Sequence, residues 1–160
     1  MGPESILQLD NIFKKNWHTA VKDWPVRDSI KLFTEVETVL CKSACEWVGV
    51  PLTPEEVGKR TSQLSAMIDS SGAIGLRHYK GRLARKKAEK WIENLIKNGH
   101  NKKSNEESIF NLFSEHQNSA DNKLTTSVVA VEILNLLRPI VAISRYITIP
   151  LWPYIIIRTV

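Results

Sequence analysis

Glu132, Asn135 and Arg138 recur at three-residue intervals within an otherwise apolar stretch, and Pro139 follows at once. On a helix these three positions form a slowly drifting polar stripe. Pro139 has no backbone N–H and bends or locally opens a helix. Such a site can present Arg138 to a cavity beside freed backbone carbonyls. A buried guanidinium must be paired, and its rigid donor fork suits a carboxylate. Three readings stay open: a local structural pair with Glu132, an anchor for the carboxylate of an acid substrate, or a solvent-facing arginine. The anchor fails if Arg138 points outward, or if two fixed carboxylates already hold it with no adjoining cavity.

Other reactive residue types are sparse. Cys41 and Cys45 are the only cysteines. Four residues apart, they share a face if their stretch is helical. His18, His78, His100 and His116 are scattered without zinc-site spacing, so no tetrahedral metal set forms. The two thiols therefore read as small buried apolar groups, and a reducing cytoplasmic setting follows. His78 has no nearby nucleophile or suitably spaced carboxylate, which leaves general acid–base catalysis without support there.

The elements that must position Arg138 read as helices throughout. In residues 4–24, Ile6, Leu9, Phe13, Trp17, Ala20 and Trp24 recur at helical spacing, with Pro3 favouring the start and Pro25 the stop. A second element is expected from Asp28, carrying Leu32, Phe33, Val36, Val39, Leu40, Cys45 and Trp47, and ending near Gly49 and Pro51. Thr53, Pro54 and Glu56 have the spacing of a capping box for a third helix reaching about residue 70. A bend at Ser70, Ser71, Gly72 and Gly75 leads to a charged helix from Gly81 to about Lys97. Residues 98–107 read as a loop, residues 108–116 as a short helix, and a long apolar helix is expected from about 121 or 124 to 149. The fold class is all-α, with no internal repeat and no strand alternation.

A chain of 160 residues, 42% hydrophobic and 24% charged, suits one globular domain. The seven glycines and seven prolines exclude a collagen-like chain. The long C-terminal helix is apolar all round, which ordinarily places a helix inside a core. Its internal arginine argues against a membrane span. The N-terminus has no basic segment followed by an apolar signal core, so secretion is not expected. The charge of +5 concentrates in Arg77, Lys80, Arg82, Arg85, Lys86, Lys87 and Lys90. That run suits a solvated helix, although phosphate contact with stacking from Tyr79 or Trp91 is the competing reading.

The segments CKSACEWVGVPLTPEEV, SSGAIGLRHYKGRLARKKAEKWIENLI and LNLLRPIVAISRYI, in this order, resemble the fatty-acid peroxygenase branch of the cytochromes P450. The resemblance covers residues 3–149 as a partial catalytic domain, the middle helices and the long distal central helix, with 150–160 as a divergent apolar tail. It departs at Gly75–Leu76–Arg77–His78–Tyr79, where the commoner form has a proline after the glycine and a tryptophan at the end.

What the resemblance implies is a heme b enzyme with thiolate-ligated iron that uses hydrogen peroxide to hydroxylate long-chain fatty acids near the carboxylate. Some members decarboxylate them, and no redox protein is needed. By that resemblance Arg138 binds the fatty-acid carboxylate and Pro139 shapes the peroxide pocket. The bound carboxylate then serves as general acid–base. The family's axial cysteine lies beyond the matching region, so the chain is expected to be an internal fragment that is inactive alone and lacks a further protein segment. No nucleic acid and no membrane span are expected. The alternatives are a noncatalytic helical interaction protein and a basic nucleic-acid-binding helical protein.

Overall fold

The spacing of apolar residues at three and four positions becomes helix along the whole described chain. The computed structural model describes residues 2–98, 108–116 and 125–149, and only the helical backbone of 113–116. Helix α1 is Pro3–Asp23, followed by a single 3-10 turn, Trp24–Val26. Helix α2 is Leu32–Val48, α3 Pro54–Asp69, α4 Leu76–Lys97, α5 Ile109–His116 and α6 Thr126–Thr148. Among the described residues there is no strand, as the all-α expectation requires. Residues 99–107, the connection at 117–124 and the tail at 150–160 lie outside the described residues, as do His100 and the His116 side chain.

Helix α6 is the element around which the others gather. It packs most extensively on α2, then on α4 and α3, while α1 leans on the outer side of α2. Val129, Ala130, Ile133, Leu134, Leu137, Ile140 and Val141 of α6 are buried among Val36, Leu40, Ala44 and Val48 of α2, Leu64 and Met67 of α3, and Ala88, Trp91 and Ile92 of α4. Burying one such side chain contributes roughly 1.5–3 kcal/mol. The interior therefore rests on this four-helix contact rather than on α1, which has no fully buried residue.

The structure corrects three sequence-based boundaries and one cap. Helix α2 starts at Leu32 and not at Asp28, because Arg27 and Lys31 are extended (ψ 136° and 97°). An Arg27–Glu35 ion pair of 2.7 Å spans that link. Thr53 is the N-cap residue of α3, but its hydroxyl caps no backbone N–H, and Glu56 is drawn to Arg60. The capping box is thus lost to a stronger charged partner. Helix α4 begins at Leu76, five residues before Gly81, since Gly75 takes φ 77° and turns the chain into the first helical residue. Helix α6 begins at Thr126, where the Thr125 hydroxyl accepts a hydrogen bond from the Val128 N–H.

Gly81 marks a close helix contact instead of a start. A Cβ there would run into the side chain of Ser70 and sit 3.2 Å from the Ala66 carbonyl oxygen. Gly81→Ala is therefore expected to cost about 1–3 kcal/mol, as overpacking does. Chemical denaturation checks this, and Ser70→Gly in the same chain should recover part of the loss. An alanine variant as stable as the parent would show that the α3–α4 contact gives way freely.

Helix α6 is long and apolar enough to cross a membrane by length and composition. Here one of its faces is a core face. Contrary to the expectation that it is enclosed all round, Val128, Glu132, Asn135, Pro139, Ile143 and Tyr146 are exposed at steps of three or four residues. One side of α6 is packed by α2, α3 and α4, and no described residue covers the other.

Candidate functional site

The open face of α6 holds the residues singled out from the sequence. Pro139 lies within the helix and is exposed. Its ring removes the N–H that would otherwise bond to the carbonyl of Asn135, one turn earlier on the same exposed side. Arg138 stands beside this break at the margin between the open face and the packed one, and it is half-buried. No ion pair or side-chain hydrogen bond holds its guanidinium among the described residues.

The local pair with Glu132 does not form. Glu132 is exposed and joins no ion pair among the described residues. Six helical positions separate the two residues, which places them about 120° apart around the axis and about 9 Å apart along it. The polar stripe therefore divides: Glu132, Asn135 and Pro139 face outward, and Arg138 turns toward the flank. Of the three sequence-based readings the local pair is removed, and the carboxylate anchor and the solvent-facing arginine stay open.

A second arginine settles the attitude of this helix, and its role was not legible in the sequence. Arg145, seven residues beyond Arg138, sends one guanidinium nitrogen to Glu37 Oε1 at 3.0 Å and the other to Asp69 Oδ1 at 2.5 Å. Ser144 Oγ at 3.0 Å and Ser65 Oγ at 3.3 Å accept from the same two nitrogens. The Ser65 hydroxyl in turn donates to Glu37 at 2.7 Å. The guanidinium also lies 5.3 Å from the centre of the Phe33 ring. Arg145 thus ties α6 to α2 and α3 together and fixes the rotation of the face that carries Arg138. The signal for it is a cation within an apolar helix combined with Glu37 in the apolar run of α2, since each needs a buried partner.

Another buried cation sits deeper. Arg60 is 7% exposed, pairs with Glu56, donates to Gln63 at 3.2 Å and stacks 4.4 Å from the centre of the Trp91 ring. It fastens α3 to α4, and Trp91 belongs to the apolar interior rather than to an aromatic binding platform.

The cysteines behave as the sequence indicates. Cys41 and Cys45 are free and fully buried in α2. The hydrogen bond with Cys41, followed by burial, pushes the Cys45 thiol well up and keeps it protonated. An iron ligand must be a thiolate that the metal can reach, and Cys41 and Cys45 are at most 1% exposed, so this pair does not fit the heme that the family resemblance implies. Among the described residues no three His, Cys, Asp or Glu side chains gather as a metal site.

A pocket of about 330 Å³ opens elsewhere, between α1, α2 and the start of α3, lined by Asn16, Lys42, Cys45, Glu46, Val50 and Val57 among others. Partial burial works to raise the Glu46 carboxyl. The hydrogen bonds from Lys15 (2.7 Å) and Asn16 (3.0 Å), with the Lys15 charge, outweigh it and leave Glu46 below its ordinary value. Neither Arg138 nor Pro139 lines this pocket. His78 is exposed in the first turn of α4.

No family model matches the chain. Solved structures do. Cytochrome P450SP alpha (CYP152B1) in complex with (R)-ibuprofen superposes with a TM-score of 0.81 at 34% identity, over 92% of this chain and 37% of that one. Cytochrome P450EX alpha (CYP152N1) with myristic acid gives 0.77 at 38% identity, over 90% of this chain and 35% of that one. Ligand-free cytochrome P450 OleT gives 0.82 at 23% identity, a likeness of fold. The chain therefore spans little more than a third of the length of the proteins it matches. At 34–38% identity, and with its helical arrangement shared over some nine-tenths of its length, this chain belongs to the cytochrome P450 family, alongside the CYP152 members.

Proposed function

We propose that this chain is the acid-binding distal wall of a fatty-acid-oxidising cytochrome P450, with Arg138 as the anchor for the substrate carboxylate and Pro139 shaping the space beside it. One observation carries the reading: Arg138 is a half-buried guanidinium that no described residue pairs, next to a helix position where Pro139 frees a backbone carbonyl. A planar donor fork with no partner among the described residues, at the edge of an apolar wall, suits the head group of a long-chain acid.

Two further points support it. The solved variants of P450SP alpha include an arginine-to-glutamate change, and changes at an alanine four positions further on. Among the arginines of the present chain only Arg138 is followed at that spacing by an alanine, Ala142. P450EX alpha was solved with a long-chain fatty acid, myristic acid.

In the complete protein, hydrogen peroxide and a long-chain fatty acid are the proposed reactants, and hydroxylation near the carboxylate is the proposed outcome. Domain bounds of 3–149, a need for a further protein segment that supplies the proximal wall, and inactivity of the present chain alone belong to the same reading. So does a cytoplasmic setting, which the two free thiols support.

Calorimetric titration of the 160-residue chain with myristate tests the anchor. Arg138→Leu should weaken binding about ten- to a hundredfold, the loss of one charge-assisted contact of roughly 1.5–3 kcal/mol, and Arg138→Lys should recover part of it. Equal affinity for the parent and Arg138→Leu overturns the assignment. Heme titration followed by the spectrum of the reduced carbon-monoxide complex tests the rest. A thiolate-type Soret band from this chain alone would contradict the view that its helices lack the axial ligand.

A further inference from the structure

Arg138 and Arg145 both belong to α6. Seven helical positions place them within about 20° of each other around the axis and about 10 Å apart along it. Whatever sets the direction of one therefore sets the direction of the other. Pro139 stands between them without a backbone N–H, so the helix lacks one of the bonds that would hold its two halves in register. The helix is weakest in its own bonding where the direction of Arg138 is decided.

Beyond that break α6 is held from outside. The Arg145 guanidinium reaches Glu37 Oε1 of α2 at 3.0 Å and Asp69 Oδ1, at the end of α3, at 2.5 Å. Ser65 Oγ joins the two limbs, accepting from Arg145 at 3.3 Å and donating to Glu37 at 2.7 Å. Partners on two different helices resist rotation of α6, whereas a single partner would leave it free to pivot. The rotation matters at Arg138. Turning a helix by about 10° carries a group about 6 Å from its axis through about 1 Å. The useful range of N–H···O separations is only about half as wide. A planar fork that must meet a carboxylate with two parallel bonds loses much of its advantage on such a shift.

We propose that Arg145 is a positioning residue for the carboxylate anchor. Through Glu37 and Asp69 it holds Arg138 at the angle where its forked N–H groups meet both oxygens of a fatty-acid head group. This role rests on Arg138 being the anchor. Arg145 itself has both terminal nitrogens taken by α2 and α3, so it acts on the acid only through the helix. What it sets is discrimination between an acid and an uncharged chain of equal length. An alcohol has one oxygen and no charge, and its binding depends little on the attitude of the fork.

Calorimetric titration of the 160-residue chain with decanoate and with 1-decanol tests this. Arg145→Lys keeps a charge beside Glu37 but replaces the fork with a single ammonium, which cannot serve both limbs in the same geometry. Decanoate binding should weaken about three- to tenfold, a part of the loss expected for Arg138→Leu, while decanol binding stays within about twofold of the parent. Asp69→Ala cuts the α3 limb alone at a half-exposed residue. It should weaken decanoate binding about two- to threefold, and it carries the test if Arg145→Lys does not fold. In an Arg138→Leu background neither substitution should weaken decanoate binding further, since the group being positioned is gone.

Decanoate affinity unchanged in both Arg145→Lys and Asp69→Ala, with Arg138→Leu weakened, overturns the positioning role and leaves the anchor in place. Equal losses for decanoate and decanol overturn it too, because the network then only keeps the helices together. So do losses that add in full to that of Arg138→Leu. If the parent does not bind decanoate, or Arg138→Leu binds it as tightly as the parent, the anchor falls and the positioning role falls with it.

Discussion

Arg145→Met is expected to lower the thermal midpoint by about 5–15 °C, from a loss of roughly 2–4 kcal/mol in a chain of this size. The cost comes chiefly from what is left behind. Glu37 is only 6% exposed, and without the guanidinium its carboxylate keeps a single neutral donor, Ser65. Asp69 contributes little, since its side chain is 54% exposed and water replaces the lost partner. Methionine keeps much of the stem volume, so the loss reads the charge rather than a cavity. Thermal unfolding by circular dichroism measures it. In a Glu37→Gln background the same substitution should cost at least 1 kcal/mol less, because the stranded carboxylate is gone. A midpoint within about 1 °C of the parent would mean that the network is a surface feature without energetic weight.

Leu137→Ala should destabilise the chain by about 2–5 kcal/mol, and Arg138→Leu, one residue on, should leave it nearly unchanged. Leu137 is fully buried on the packed side of α6 and takes part in the central cluster with α2, α3 and α4. Its truncation opens a cavity that well-packed helices cannot close. Arg138 sits at the edge and holds no partner among the described residues, so removing its charge strands none of them. Denaturant unfolding of the two variants separates their roles. A large loss with Arg138→Leu would show a structural arginine and count against a ligand anchor. A small loss with Leu137→Ala would show that the open side of α6 lets the helix settle into the gap.

These two residues show where reading by period reaches its end. The recurrence of apolar groups at three and four positions found the six α-helices of the described residues, and it placed Val36, Leu40, Leu64 and Trp91 inside. It failed at starts and caps. Thr53 and Glu56 had the spacing of a capping box, but the Arg60 guanidinium offered Glu56 a stronger partner than a backbone N–H. Gly81 resembled a helix start because glycine breaks helices, whereas its position answers to the approach of Ser70 at the end of α3. Local propensity contains no information about a neighbour 11 residues away along the chain.

The candidate site divides in the same way. Arg138 and Pro139 were legible because a cation and a helix-breaker are out of place in an apolar run. The supposed pairing with Glu132 was not legible, since a spacing of two three-residue steps looks continuous in the sequence and drifts off the face in three dimensions. Arg145 is the opposite case. It was visible as an interruption, but its partners Glu37 and Asp69 stand 108 and 76 positions earlier.

The amino-acid sequence by itself determined the helical class, the packed side of α2, α3 and α4, the inert character of the two cysteines and the likeness to a cytochrome P450 family. All of these follow from residue types at short, regular spacing. Only the tertiary structure decided which side of α6 the described residues leave open, and that Arg138 has no partner there among them. The physical reason is that exposure and pairing depend on which other elements arrive at a face. That is set by long-range packing and by the Arg145 network, and a helical period carries no record of either.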